Sequence, residues 1–198
     1  MTKMGKTEKW FMNRPGHSRN VANRAERLLQ HIDFREGDKF LEIGCGNGSA
    51  CKKIAKDYKL NVFGVDVDPD QIKNAIKNIE KLNNISFSVA DATNLNFDEN
   101  EFDIIYSSGV LHHIKNWEMV LEEINRILKP TGYYIFTDIA YSRFTTNLFK
   151  NWVKKLGFYT LDDIINYMDN LGFELIDKEN PEGIYFKRHD LIFKKFEK

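Results

Sequence analysis

Residues 41–49, Leu41-Glu42-Ile43-Gly44-Cys45-Gly46-Asn47-Gly48-Ser49, decide the reading of this chain. Lys39 to Ile43 has the composition of a short buried strand, and beyond the glycines Ala50, Cys51, Ile54, Ala55 and Tyr58 recur at helical spacing. The unit predicted is strand, tight turn, helix. Glycines in that turn let it close sharply and let backbone N–H groups approach a ligand at the helix start. The spacing is GxGxG, and Ser49 stands where the dinucleotide fingerprint GxGxxG places its third glycine, which counts against a nicotinamide enzyme. No Gly-Lys-Ser/Thr follows, so a triphosphate would lack its lysine.

Outward from this loop the same alternation continues. Asn61 to Val67 reads as a second strand, and Asp68 with Pro69 supplies an N-cap and first-turn proline for a helix with the stripe Ile72, Ile76, Ile79 and Leu82. Ile85–Val89 and Phe102–Ser107 are the third and fourth strands, separated by a polar connection over 92–100. Met119, Val120, Leu121, Ile124, Ile127 and Leu128 mark a helix that Pro130 and Gly132 should stop before a fifth strand at Tyr133–Ile139. Upstream, Val21, Ala25, Leu28, Leu29 and Ile32 give an amphipathic helix over 18–32. Alternating strands and helices predict an α/β fold: a mostly parallel sheet covered on both faces, with right-handed crossovers. In the tail, Thr160 caps a helix carrying Leu161, Ile164, Ile165, Met168 and Leu171, and Gly172 stops it. Phe173–Asp177 and Tyr185–Phe196, joined around Pro181 and Gly183, suit an antiparallel pair at the sheet edge.

The 198 residues, 42% hydrophobic and 29% charged, suit one globular domain, 1–198, and no linker or repeat divides it. Four prolines, 12 glycines and the lack of an 18-residue apolar run exclude a collagen-like rod and a membrane span. Two cysteines, Cys45 and Cys51, can build neither a disulfide framework nor a four-cysteine zinc site. The amino terminus has no apolar stretch of the signal-peptide kind, so cytoplasm is the expected location. Lys+Arg and Asp+Glu balance at 29 each, but the first 30 residues hold seven basic residues against Glu8 and Glu26. That arm is either a solvated helix face or an attractor for an anionic substrate or nucleic acid.

The strand ends carry the candidate ligand contacts. Asp66 closes the second strand, 22 residues beyond Gly44, where a carboxylate accepts hydrogen bonds from ribose hydroxyls. Its alternative role is a solvated strand end or a cap shared with Asp68. Asp91 closes the third strand and can accept from an adenine amino group, or is likewise solvated. In an open parallel sheet the carboxyl ends of neighbouring strands converge, so Gly44–Gly48, Asp66, Asp91 and Ser107 should line one crevice shaped for adenosine.

Taken together, LEIGCGNGS at 41–49, VFGVDVDP at 62–69, VADATNLNF at 89–97, FDIIYSSGVLHHI at 102–114 and EINRILKPTGYYIF at 123–136 resemble the class I S-adenosylmethionine-dependent methyltransferases. Within that class the chain is most similar to the small-molecule branch of ubiquinone and menaquinone biosynthesis. The resemblance covers about 160 residues from Lys39 onward and is specific for the cofactor rather than the substrate. It implies a Rossmann-like seven-stranded sheet of order 3-2-1-4-5-7-6 with strand seven antiparallel. It further implies that Glu42 orients the methionine amino group and that Gly44, Gly46 and Gly48 shape the methionine-side wall. Asp66 would hold the ribose and Val67 would pack on adenine. Asp91 would meet adenine N6, the Ala92 N–H would meet N1, and Ser107 would face the methionine moiety. S-adenosyl-L-homocysteine would be the product. One departure is Thr131, where a Pro-Gly-Gly turn is usual before strand five.

A sulfonium methyl is already activated, so the protein has chiefly to align donor and nucleophile and exclude water, with no metal or covalent residue required. Strand four ends in Ser107-Ser108-Gly109-Val110, not the Asp/Asn-Pro-Pro-Tyr/Phe loop of amino-directed adenine or glutamine enzymes, and neither cysteine is placed for cytosine C5 attack. His112 and His113 follow that strand. Each is either an ordering and packing element or a general base for an O- or N-acceptor, with His113 preferred on the resemblance. Neither has the spaced partners a zinc site needs. Substrate selection falls to residues 9–20, with Trp10, Phe11, Met12, Arg14, His17 and Arg19, and to an insertion at 140–158, with Tyr141, Phe144, Phe149 and Trp152 beside Arg143, Lys150, Lys154 and Lys155. The expected arrangement is a lid over a planar or anionic small-molecule acceptor. RNA- or protein-directed methylation, a non-catalytic cofactor-binding role and a dehydrogenase are the competing readings. The motifs specify neither acceptor atom nor oligomeric state.

Overall fold

The computed structural model describes residues 14–77, 79, 82–148, 157–182 and 188–196. The described elements are α1 (Pro15–Leu29), β1 (Lys39–Ile43), α2 (Ser49–Tyr58), β2 (Asn61–Asp66), α3 (Pro69–Lys77), β3 (Ile85–Val89), β4 (Phe102–Ser108), a 3₁₀ turn (Leu111–His113), α4 (Trp117–Ile127), β5 (Leu128–Ile139), α5 (Arg143–Leu148), α6 (Leu161–Asn170), β6 (Phe173–Glu182) and β7 (Arg188–Lys195).

The strands form one seven-stranded sheet in the order β3-β2-β1-β4-β5-β7-β6, as the resemblance implies. Six strands run in one direction, and β7 lies antiparallel between β5 and β6. β1 and β4 are buried at nearly every position because both faces of the sheet are covered. On one face Leu41, Ile43, Ile105 and Phe136 pack under Val120, Leu121 and Ile124 of α4 and Ile164 and Met168 of α6. On the other, Phe40, Val62, Ile104 and Ile135 pack under Ala25, Leu28 and Leu29 of α1 and Ile54 and Ala55 of α2. The fold is therefore a three-layer α/β sandwich whose loops at the strand carboxyl ends are free to build a site.

Four expectations shift. Helix α1 spans Pro15–Leu29 rather than 18–32, because Pro15 fits the first helical turn, although Ile32 still reaches the core. Helix α3 buries Gln71, Ile72 and Ala75, which turns Ile76 to solvent at 51% exposure, and it ends at Lys77 before Ile79 and Leu82. Pro130 and Gly132 do not separate α4 from β5. The helix ends at Ile127 and the strand starts at Leu128, so both lie inside the strand, at a register shift against Phe102–Ile104. β6 runs on to Glu182 instead of ending at Asp177. Trp10, Phe11, Met12, Phe149, Lys150, Trp152, Lys154, Lys155, Gly183 and the start of the last strand candidate at Tyr185 lie outside the described residues.

A cleft at the carboxyl ends of β1, β2 and β4

The chain leaves β1 through a hairpin-tight turn that is pinned to β2: the N–H groups of Gly44 and Cys45 both donate to Val65 O, at 2.8 and 2.9 Å. Gly44 adopts φ +73°, and a Cβ there would collide with a Val110 methyl group, so both its conformation and its surroundings demand glycine. Above this turn lies a cleft at the strand carboxyl ends, where open α/β sheets place their ligands. Its walls come from the loop (Gly44, Cys45, Gly46, Asn47, Ser49), the end of β2 (Asp66, Val67, Asp68), the end of β4 (Ser108, Gly109, Val110), and His17, Ser18 and Val21 of α1. Glu42, Gln71 and His113 complete it.

The two acids at the cleft differ in setting. Asp66, 5% exposed, accepts from Gly46 N and Asp68 N, both at 2.9 Å, which fixes its carboxylate between the glycine loop and the start of α3. Glu42, 2% exposed, accepts from Cys51 N at 3.2 Å and from the Cys51 thiol at 2.9 Å. Burial pushes its carboxyl up to about 7, the Cys51 bonds oppose this, and Asp66 adds to it. Glu42 is thus poised to change charge near neutrality.

Of the expected site residues, the structure brings Glu42, Gly44, Gly46, Asp66, Val67 and His113 to one cleft. Gly48 sits just behind the wall as the N-cap of α2, with its N–H on Cys45 O at 2.9 Å. Three others are not among the residues that line it. Asp91 folds back onto Thr93, accepting from its N–H at 3.0 Å and its hydroxyl at 2.8 Å in an Asx-type turn, and Ala92 beside it is buried in the core. The Ser107 hydroxyl pairs with Tyr134 OH at 2.8 Å inside the core, because alternation along β4 turns Ser108 to the cleft instead.

The histidine turn is held from behind. Asp138, at the end of β5 and 1% exposed, accepts from Leu111 N at 2.8 Å, from Ile139 N at 2.7 Å and from the His112 ring Nδ1. Burial alone would raise the Asp138 pKa, but the His112 bond and charge, with the Ile139 N–H, hold it below the usual carboxylate range. An ionised Asp138 can only accept, so His112 donates its Nδ1–H to it, and the His112 ring lies 3.9 Å, centroid to centroid, from that of His113. Gly157 presses on the same turn: a Cβ there would fall on the carbonyl oxygens of Leu111 and Ile114. That contact ties the end of the 140–158 stretch to the histidines, and Tyr141 closes its start by donating its N–H to Tyr159 O at 3.0 Å.

Arg188, unremarked in the sequence, reaches the same corner from the first residue of β7. Its Nη2 lies 3.7 Å, and His112 Cε1 3.8 Å, from where a Gly109 Cβ would stand. Burial and the charge of Arg188 hold the His17 pKa below its usual value. Gln71 was likewise hidden by being polar within an otherwise apolar helix stripe. Among the described residues no group of three or more His, Cys, Asp or Glu is arranged to hold a metal, and no helix is long and apolar enough to cross a membrane.

Residues 41–136 match the family described as a methyltransferase domain. The chain is 30% identical over 167 residues to phosphoethanolamine N-methyltransferase 3 of Arabidopsis thaliana, an alignment covering 82% of this chain and 34% of that protein. It is 31% identical over 150 residues to phosphoethanolamine N-methyltransferase of Plasmodium falciparum (isolate 3D7), covering 74% of this chain and 56% of the relative. The chain thus spans between about one third and just over one half of the length of these relatives. Its fold matches phosphoethanolamine N-methyltransferase 2 of Haemonchus contortus in complex with S-adenosyl-L-methionine, with TM-score 0.75 at 18% identity over 96% of this chain and 60% of that one.

Proposed function

This chain carries the domain of the class I S-adenosylmethionine-dependent methyltransferases, and from that premise we propose that it methylates the amine of a small acceptor bearing an anionic group, of the phosphoethanolamine kind. The observation that carries the acceptor reading is the meeting of Arg188, His112 and Gly109 at the corner where His17 and His113 also face. A guanidinium at a partly closed cleft attracts and orients a phosphate or carboxylate, and its fixed fork suits that geometry.

The cofactor fits the residues present. Gly44 and Gly46 let a ligand approach the loop backbone, Asp66 is a fixed acceptor at the end of β2, and Glu42 is a buried acid able to face the amino group of a methionine moiety. S-adenosyl-L-methionine supplies, when bound, a methyl group on a sulfonium that leaves as S-adenosyl-L-homocysteine. The chain's own residues then have two tasks. Arg188 anchors the anionic end of the acceptor so that its amine points back along the cleft. His113, on the cleft wall, takes the ammonium proton that must leave before nitrogen can act as a nucleophile. His112 positions that ring, held in turn by Asp138.

The test measures S-adenosylhomocysteine formation with phosphoethanolamine, ethanolamine and a transfer RNA as acceptors. Turnover on phosphoethanolamine well above that on ethanolamine is expected. His113→Asn should lower kcat with the cofactor Kd unchanged, and Arg188→Met should raise KM for the phosphorylated acceptor about tenfold or more. Equal use of both amines, or activity on RNA alone, overturns the acceptor reading.

A further inference from the structure

Gln71 lies in the first turn of α3, 1% exposed, and neither its amide nitrogen nor its amide oxygen has a hydrogen-bond partner among the described residues. Buried polar groups in native proteins are almost always paired, so a primary amide left with both ends unmet calls for a reason. Helix capping is not that reason. The Gln71 N–H already donates to Asp68 O at 3.0 Å, and the cap of α3 is Asp68 itself, whose carboxylate accepts from Asp70 N at 3.0 Å. The side chain lines the cleft on the wall that Asp66, Val67 and Asp68 form.

The chemistry of that wall is incomplete without it. Asp66 is fixed by two backbone N–H groups, and an ionised carboxylate can only accept. A nucleoside presents donors and acceptors together: two hydroxyl groups, a ring oxygen and aromatic nitrogens. An amide carries two N–H donors and a carbonyl acceptor on one short plane.

We propose that Gln71 contacts the nucleoside half of the cofactor directly, its amide both donating to and accepting from polar atoms of the sugar and base that Asp66 alone leaves unmatched. This rests on the reading that the cleft takes S-adenosylmethionine. The free protein carries the unpaired amide as a cost that binding removes, so affinity and stability pull in opposite directions at this one residue.

The opposition supplies the test. Native protein, Gln71→Leu and the unbranched Gln71→Met are titrated calorimetrically with S-adenosylhomocysteine and with adenosine, and the Tm of each is taken without ligand. Both ligands should bind at least about tenfold more weakly to the variants, while the ligand-free Tm stays level or rises. Native affinity retained in both variants overturns the proposal. So does weaker binding accompanied by a fall of several degrees in the Tm of both variants, which would make Gln71 a packing residue. A loss confined to S-adenosylhomocysteine would put the side chain against the amino-acid half and also overturn it. Failure of the native protein to bind either ligand is a different result, since it removes the cofactor reading itself.

Discussion

At the scale of single residues, Glu42 concentrates the chemistry of the cleft because its carboxyl sits where water does not. With its pKa lifted from the model-peptide range of 4.5 to about 7, the folded chain holds a proton there that the unfolded chain releases. Stability from this group is therefore full below about pH 4.5 and is lost as pH rises through about 7, in total roughly 3 kcal/mol. Urea denaturation of native protein and Glu42→Gln across pH 4.5 to 8 should show the native curve falling relative to the variant over that window; parallel curves would mean the carboxyl is ionised throughout. If Glu42 faces the methionine ammonium as proposed, cofactor affinity should depend on pH with the opposite sign. A methionine ammonium favours the ionised acid, so binding of S-adenosylhomocysteine should tighten from pH 5.5 to 8 in the native protein and less so in Glu42→Gln. Asp66 is a contrasting case: two backbone N–H groups fix it, and the two acids take different tasks from different surroundings.

At the scale of elements, the junction between α4 and β5 shows how a local sequence rule yields to the sheet. Thr131 adopts φ +65°, a left-handed conformation costly for a β-branched residue. The chain accepts this to make up a register shift opposite Phe102 and Ile104. Thr131→Gly should therefore stabilise by about 1 kcal/mol, less the chain entropy glycine adds, and raise the Tm by a few degrees without changing cofactor affinity. A lower Tm would show that the threonine is held by contacts worth more than its strain. The succession of strands and helices was legible because apolar runs, glycines and caps recur in a fixed alternation, whereas the strand order in the sheet came from the family resemblance. Thr160, for instance, forms a full capping box with Asp163 at the start of α6. Helix faces were less so: the stripe through Ile76 fails because α3 turns Gln71 and Ala75 inward, and a spacing rule reads periodicity without knowing which phase meets the sheet. Within the site, the loop and Asp66 followed from position alone. Ser107, Asp91 and Arg188 did not, since a one-residue alternation, an Asx turn and an antiparallel return across the sheet decide them.

At the scale of the whole molecule, the cleft depends on a helix anchored far from it in sequence. The amino end of α1 gives His17, Ser18 and Val21 to the cleft wall, and Ser18 Oγ accepts from Asn47 of the glycine loop at 3.0 Å. Its other end is fastened to the last strands. Arg24 and Arg27 both reach the buried Asp190 of β7, at 2.7 and 3.0 Å, and Arg27 also pairs with Glu179 of β6 at 2.7 Å. Two of the seven basic residues that give the first 30 their positive charge are thus engaged in ion pairs with the last two strands. Asp190 is buried, so removing both arginines would leave its charge uncompensated, at a cost of about 3–5 kcal/mol. Removing Arg24 alone leaves Arg27 in place and should cost less. The double variant Arg24→Met/Arg27→Met should then lower the Tm by on the order of 10 °C. The informative measurement is made well below that midpoint, where every molecule is folded. If α1 is one wall of the cofactor cleft, S-adenosylhomocysteine should bind Arg24→Met several-fold more weakly there, and adding Asp190→Asn to the double variant should restore stability by removing the orphaned charge while leaving binding weak. Full affinity in a destabilised Arg24→Met would mean that the helix covers the sheet without shaping the cleft, and that β1, β2 and β4 build the site unaided.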